Sequence, residues 1–235
     1  MRTRGATHNS EGRQRGSSRR RFTGDQQHSH RRCHRQPAAR GLRPFSVPHR
    51  LQPWPGDTLA DVAGLLTWYS FVNTDTTVDV VNDPLGRRER GEVVFHSIYT
   101  EAEKASDPTL RDTGIFVSSA QGSTAGGLAV CSAGGGFAYV GSIHDSMPHA
   151  LWLSRHGYTA FTLQYRPDLR SGCADLARAI SFIHSRADEL DVDPACYSLW
   201  GGSAGARLAA ALSSYGPARF GGGDVPGPGT VVMQY

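Results

Sequence analysis

Leu199-Trp200-Gly201-Gly202-Ser203-Ala204-Gly205 decides how this chain is read. Cys196 to Trp200 has the apolar and aromatic content of a short strand, and the alanine-rich run Ala204 to Ser214 reads as a helix. A serine with glycines two positions before and two after, at a strand-to-helix junction, is the G-x-S-x-G nucleophile elbow in the context it requires. The hydroxyl has to project above the sheet from a sharp bend, where Cβ atoms at Gly201 or Gly205 would clash. The helix that follows points its N-terminus at the same spot and favours negative charge there. Ser203 is therefore the candidate nucleophile, and Ala204 N–H a candidate donor to a developing oxyanion.

Working outward, Leu128-Ala129-Val130-Cys131 is a short buried strand that runs into Ala133-Gly134-Gly135-Gly136-Phe137. Bare glycine N–H groups can approach a substrate oxygen closely, so Gly135 and Gly136 join Ala204 as candidate oxyanion donors. Alone, either motif has a bland reading: G-x-S-x-G arises by chance in glycine-rich chains, and a glycine triplet is often a turn. A phosphate loop is excluded, because G-x-G-x-x-G fails after Gly136 and no Gly-Lys-Ser/Thr exists. Phe137, Tyr139 and Trp152 are candidate pocket walls, although aromatics near strands are more often core.

The flanking pattern is regular. Strands are expected over 92–99, 113–117, 158–165 and 196–200, with a further one starting at 231–233. Helices are expected over 57–66, around 149–154 with Gly157 as its C-cap, over 173–190 and over 204–214. Strand alternating with helix predicts an α/β fold: a mostly parallel, doubly wound sheet with helices on both faces.

Length and composition bound the rest. The chain has 235 residues, 38% hydrophobic and 20% charged, with 28 Gly and 13 Pro, which allows one loop-rich domain or one domain and a tail. No apolar run approaches the roughly 18–20 residues of a membrane helix. Cys33, Cys131, Cys173 and Cys196 are too scattered for a disulfide scaffold, and neither they nor the cluster His28, His30, Cys33 and His34 match a closed zinc pattern. No cofactor and no metal are expected. Charge is divided unevenly: residues 1–50 hold thirteen arginines against Glu11 and Asp25, whereas 51–235 hold twelve cations against nineteen acids. An Arg-rich, Ser/Gln/His-rich stretch with few aliphatics predicts a disordered tail over 1–50, followed by a folded domain over 51–235. Ser18-Arg19-Arg20-Arg21-Phe22 lacks the apolar segment of an export signal, and no amphipathic helix supports a transit peptide. With no usable export signal, the cytoplasm is the expected compartment.

The run 129–137 continuing to Gly141-Ser142, with 157–161, Tyr165-Arg166, 175–180 and the elbow at 201–205, resembles the esterase/lipase branch of the α/β-hydrolase superfamily, which includes acetyl-esterase-like and feruloyl-esterase-like enzymes. The resemblance covers about residues 90–235 and implies an α/β-hydrolase fold, Ser203 as nucleophile, and Gly135, Gly136 and Ala204 as oxyanion donors. Ala133 departs from it, since many relatives have histidine there. The triad order implied is Ser, then Asp or Glu, then His. After Ser203 the only acid is Asp224, before the next strand, and there is no histidine; among the preceding ones, His144 and His149 lie nearest the glycine loop. The expectation is thus the N-terminal portion of a serine esterase for short acyl esters, with the last strands and both triad partners beyond Tyr235, and inactive as it stands. The alternative is a non-catalytic fragment or pseudoenzyme whose basic tail binds an anionic partner; nucleic acid is disfavoured, because only Phe22 is available among the arginines for base stacking. Esterase against peptidase, acyl preference and oligomeric state are not encoded in these motifs.

Overall fold

In the computed structural model the described residues are 73–122 and 127–235. The tail 1–50 and the helix expected over 57–66 lie outside them. In chain order the elements are α1 (Thr74–Glu89), β1 (Phe95–Ser97), α2 (Glu101–Ser106), β2 (Gly114–Ser118), β3 (Leu128–Ser132), α3 (Ser146–Arg155), β4 (Thr159–Gln164), α4 (Leu169–Ser185), β5 (Tyr197–Gly202), α5 (Ala204–Tyr215) and β6 (Thr230–Gln234). The strands form one sheet ordered β1-β2-β4-β3-β5-β6. β4, β3, β5 and β6 are parallel neighbours, whereas β2 runs against both β1 and β4, so the sheet is mixed.

Every residue of β3 and β4 is buried, as expected of parallel strands covered on both faces. Their alternation sorts side chains between two layers. On one face Val130, Phe161, Leu163 and Leu199 meet Leu176, Ile180 and Ile183 of α4 and Leu208 and Leu212 of α5. On the other, small residues prevail: Ala129, Cys131 and Ala160 meet Ala150 and Leu153, which lets α3 lie close to the sheet. α1 extends that second layer, placing Val78, Val80 and Val81 against Phe116, Met147 and Leu151.

Local chemistry sets the boundaries. α3 ends in a Schellman motif: Gly157, at φ 84°, donates its N–H to Ser154 O, and Tyr158 N–H donates to Leu153 O. α4 starts four residues before the expected Cys173, because the Asp168 side chain caps it by accepting Ser171 N–H at 2.8 Å. The strand expected over 92–99 shrinks to three residues. α1 and α2 were not expected. Pro84 inside α1 reads as a helix breaker. α2 is held by a capping box in which Glu103 Oε2 accepts Thr100 N–H and Thr100 Oγ1 accepts Glu103 N–H.

A buried ionic cluster ties the start of α2 to α4. Asp175, fully buried, accepts Tyr99 O–H at 2.6 Å, Arg166 N–H at 2.8 Å and the Arg166 guanidinium at 2.8 Å. Removing one partner of such a cluster leaves the other charge without compensation, at about 3–5 kcal/mol for a fully buried pair. Asp175→Ala is therefore expected to destabilise the fold by about 3 kcal/mol, read as a shift in the urea unfolding midpoint.

Candidate active site

The parallel strands carry their C-terminal ends to one edge of the sheet, where β3 leads into the glycine loop and β5 into Ser203. From β3 the chain crosses to β4 by way of α3 on one face; from β5 it goes to β6 by way of α5 on the other. The crevice between strands whose connections diverge in this way is where open α/β sheets bind ligands.

Ser203 has φ 46° and ψ −107°, a backbone conformation that non-glycine residues rarely adopt, and its residue is exposed. Such a conformation costs about 1–3 kcal/mol and persists only where the surroundings impose it. Here the surroundings are backbone. A Cβ on Gly205 would sit 2.0 Å from Ser132 O of β3, and one on Gly201 would sit 2.4 Å from Gly205 O. Ser203 N–H also donates to Gln234 O at 2.8 Å, joining the bend to the end of β6. Ala204 is the first residue of α5, so its N–H has no partner within the helix.

The glycine loop lies against this bend. A Cβ on Gly134 would meet Ser203 Cβ at 3.1 Å and Gly202 O at 3.1 Å. Tyr165 O–H donates to Ala133 O at 2.6 Å, Asp145 Oδ2 accepts Gly134 N–H at 2.6 Å, and Gly141 N–H donates to Gly134 O at 2.9 Å. Gly135 is buried at φ 141°, with Tyr139 O where its Cβ would be; Gly136 is exposed at φ 62° with open space around it. Among the described residues the N–H groups of Gly135 and Gly136 donate to no backbone carbonyl. The structure thus brings Ser203, Gly201, Gly205, Ala204 and the triplet Gly134–Gly136 to one place.

The expected pocket walls are divided. Phe137, at φ 57°, is half-buried and packs against the main core. Tyr139 is buried, with its ring 6.2 Å from that of His144. Trp152 is 55% exposed and stacks on His156 at 3.8 Å. It is surface rather than pocket.

Asp224 is exposed in the connection leading to Thr230, which pairs with Ser198; Gly202 pairs with Gln234. It therefore lies toward the opposite end of β5 from Ser203. His144 is buried, and burial pushes its imidazole down to about 4. His149, half-buried, has Nδ1 2.8 Å from Asp145 O and 3.7 Å from Asp145 Oδ1. Together with Ser132, Ser146, Trp200 and Gln234, the pair lines a small recess beside the elbow. Asp145 is the residue that sequence reasoning missed. Its one signal was an acid at the end of the glycine loop, before a helix.

Residues 115–219, from β2 to the turn after α5, match the BD-FAE family model. No curated protein matches the sequence. Among solved structures, an acetyl ester-xyloside bifunctional hydrolase from Caldicellulosiruptor lactoaceticus is 24% identical over 52% of this chain and 46% of its own, with a TM-score of 0.46. MGS-M1, an α/β hydrolase from a Medee basin deep-sea metagenome library, is 22% identical over 60% of this chain and 55% of its own, with a TM-score of 0.47. A thermophilic esterase from Thermogutta terrifontis is 21% identical over 49% and 42%, with a TM-score of 0.41. The chain spans about half the length of these structures. Among the described residues, no helix is long and apolar enough to cross a membrane.

Two outcomes follow from this geometry. Gly205→Ala, which drives a Cβ into the β3 backbone, is expected to cost upward of about 3 kcal/mol, whereas Gly136→Ala meets no atom and costs only about 1 kcal/mol for its positive φ. Thermal unfolding of the two variants checks the ranking. For His144, burial lowers the folded-state value from 6.5 to about 4, so between these pH values the unfolded chain binds a proton that the folded chain refuses. Its contribution is complete above pH 6.5 and is lost as the pH falls toward 4; urea midpoints of wild type should fall more steeply over that window than those of His144→Gln.

Proposed function

We propose that this chain is of the carboxylic-ester hydrolase type, with Ser203 as nucleophile toward short acyl esters. The observation that carries the reading is the contact between the two motifs: Ser203 on a strained bend, against a glycine loop whose Gly135 and Gly136 N–H groups donate to no backbone carbonyl among the described residues. In this reading Ser203 Oγ adds to the ester carbonyl and its proton passes to a base. The carbonyl oxygen takes the negative charge, facing the N–H groups of Gly135, Gly136 and Ala204. Collapse expels the alcohol and leaves an acyl-serine, which water then hydrolyses to the acid. Each oxyanion donor of this kind contributes about 2.7–4 kcal/mol to the transition state. The match of residues 115–219 to the BD-FAE family model supports the assignment of nucleophile and donors.

The base is the unassigned part. No histidine follows Ser203, Asp224 lies at the wrong end of β5, and His144 is withdrawn into the core with a depressed basicity. An oxyanion site without its base retains about 10³–10⁴-fold acceleration over water. The expected behaviour of residues 1–235 is slow covalent labelling by a fluorophosphonate, lost in Ser203→Ala. Turnover of p-nitrophenyl acetate is expected to stay within that residual range. A folded chain that is not labelled at Ser203 would overturn the reading.

A further inference from the structure

We propose that Asp145 is a positioning residue whose buried carboxyl holds the glycine loop against the nucleophile bend by accepting Gly134 N–H. The residue is only 8% exposed, and Oδ2 lies 2.6 Å from Gly134 N. The same carboxyl packs flat on Gly202, where a Cβ would meet Oδ2 at 2.4 Å and Oδ1 at 2.8 Å. Gly202 immediately precedes Ser203, and Gly134 immediately precedes the two candidate oxyanion donors. One side chain thus touches both halves of the site at the residue before each reacting group, without itself being one of them.

Its position in α3 sharpens the inference. Asp145 is the N-cap residue of that helix, where an aspartate ordinarily accepts the second or third helical N–H, yet its side chain makes no such bond. The cap is forgone, and the carboxyl is turned across to the loop instead. Burial raises its pKa, against the lowering effects of the Gly134 N–H and of His149, so the placement is electrostatically unfavourable in isolation. Cys131 on β3, Tyr165 after β4, His149 on α3 and the adjacent His144 are the titratable groups around it. A costly placement that gives up a local hydrogen bond is explained by what it secures: the separation between the loop N–H groups and Ser203, on which oxyanion stabilisation depends.

The description of the loop as oxyanion-binding rests on the proposed function, whereas the hydrogen bond does not, and the experiment separates the two. In full-length chain, hydrogen exchange at Gly134 N–H is expected to accelerate about tenfold or more in Asp145→Ala, and to return to within about threefold of wild type in Asp145→Asn, whose side-chain oxygen still accepts. Exchange in β3 and β4 should be unchanged. Unaltered exchange at Gly134 in folded Asp145→Ala overturns the proposal. If that variant does not fold, wild type decides: the Gly134 amide proton resonance should titrate in step with the Asp145 carboxyl carbon, and independence of the two overturns it. Fluorophosphonate labelling of Ser203 is expected to slow about tenfold or more in Asp145→Ala, the scale of one lost charge-assisted hydrogen bond, and to recover in Asp145→Asn. Labelling as fast in Asp145→Ala as in wild type overturns the positioning role. A wild type that is not labelled overturns the esterase reading alone, and leaves the hydrogen-bond test standing.

Discussion

Holding Ser203 at φ 46° and ψ −107° is the constraint on which the rest of the arrangement turns. No side chain of the serine itself favours that conformation, so the backbone around it has to supply the force. It does so by contact: Gly205 lies against Ser132 O, Gly201 against Gly205 O, and Ser203 N–H reaches Gln234 O. These groups belong to the parallel neighbours β3, β5 and β6 and to the first turn of α5, so the bend is held from the sheet and the helix together. The loop after β3 can lie against the end of β5 because Gly134, Gly201 and Gly202 have no Cβ to hold the chains apart.

Sheet order follows from the same requirement. β3 has to end beside β5 if the glycine loop is to meet the elbow, and the connection through α3 and β4 must leave by the other side. The small residues Ala129, Cys131, Ala160 and Ala150 let α3 settle near the strands, and this brings its N-cap residue, Asp145, to Gly134 and Gly202. The larger residues face α4 and α5, where helix packing needs volume rather than proximity.

The parts of this fold that were legible in the sequence are those whose signal is local. The elbow declares itself by glycine spacing, β3 to β5 by short apolar runs, and the end of α3 by Gly157, because in each case a few adjacent residues determine the backbone. α1 was hidden because Asn82-Asp83-Pro84 looks like a break; it is kept helical by Val78, Val80 and Val81 packing on β2 and α3, a tertiary effect. α2 had a readable sign in Thr100 and Glu103, the spacing of a capping box. The antiparallel attachment of β2 was not legible, since pairing direction depends on connections rather than on strand composition. Asp145 was not legible either: an aspartate before a helix reads as a cap, and only the fold shows its carboxyl turned toward a loop eleven residues back.

A carboxyl placed beside the proposed oxyanion site raises an electrostatic problem, because like charges repel most strongly where water is excluded. The geometry around Asp145 answers it in part. Its Oδ2 is satisfied by Gly134 N–H, and its position at the start of α3 puts it where that helix presents its positive end. Burial also disfavours the charged form. The carboxyl contacts Gly134 and Gly202, which precede the candidate donor Gly135 and the candidate nucleophile Ser203. On the proposed reading, the Asp145 carboxyl fixes backbone position, and neutral amides face the oxygen on which charge would develop. Exchanging the two would, on that reading, set a carboxylate in the path of the developing charge.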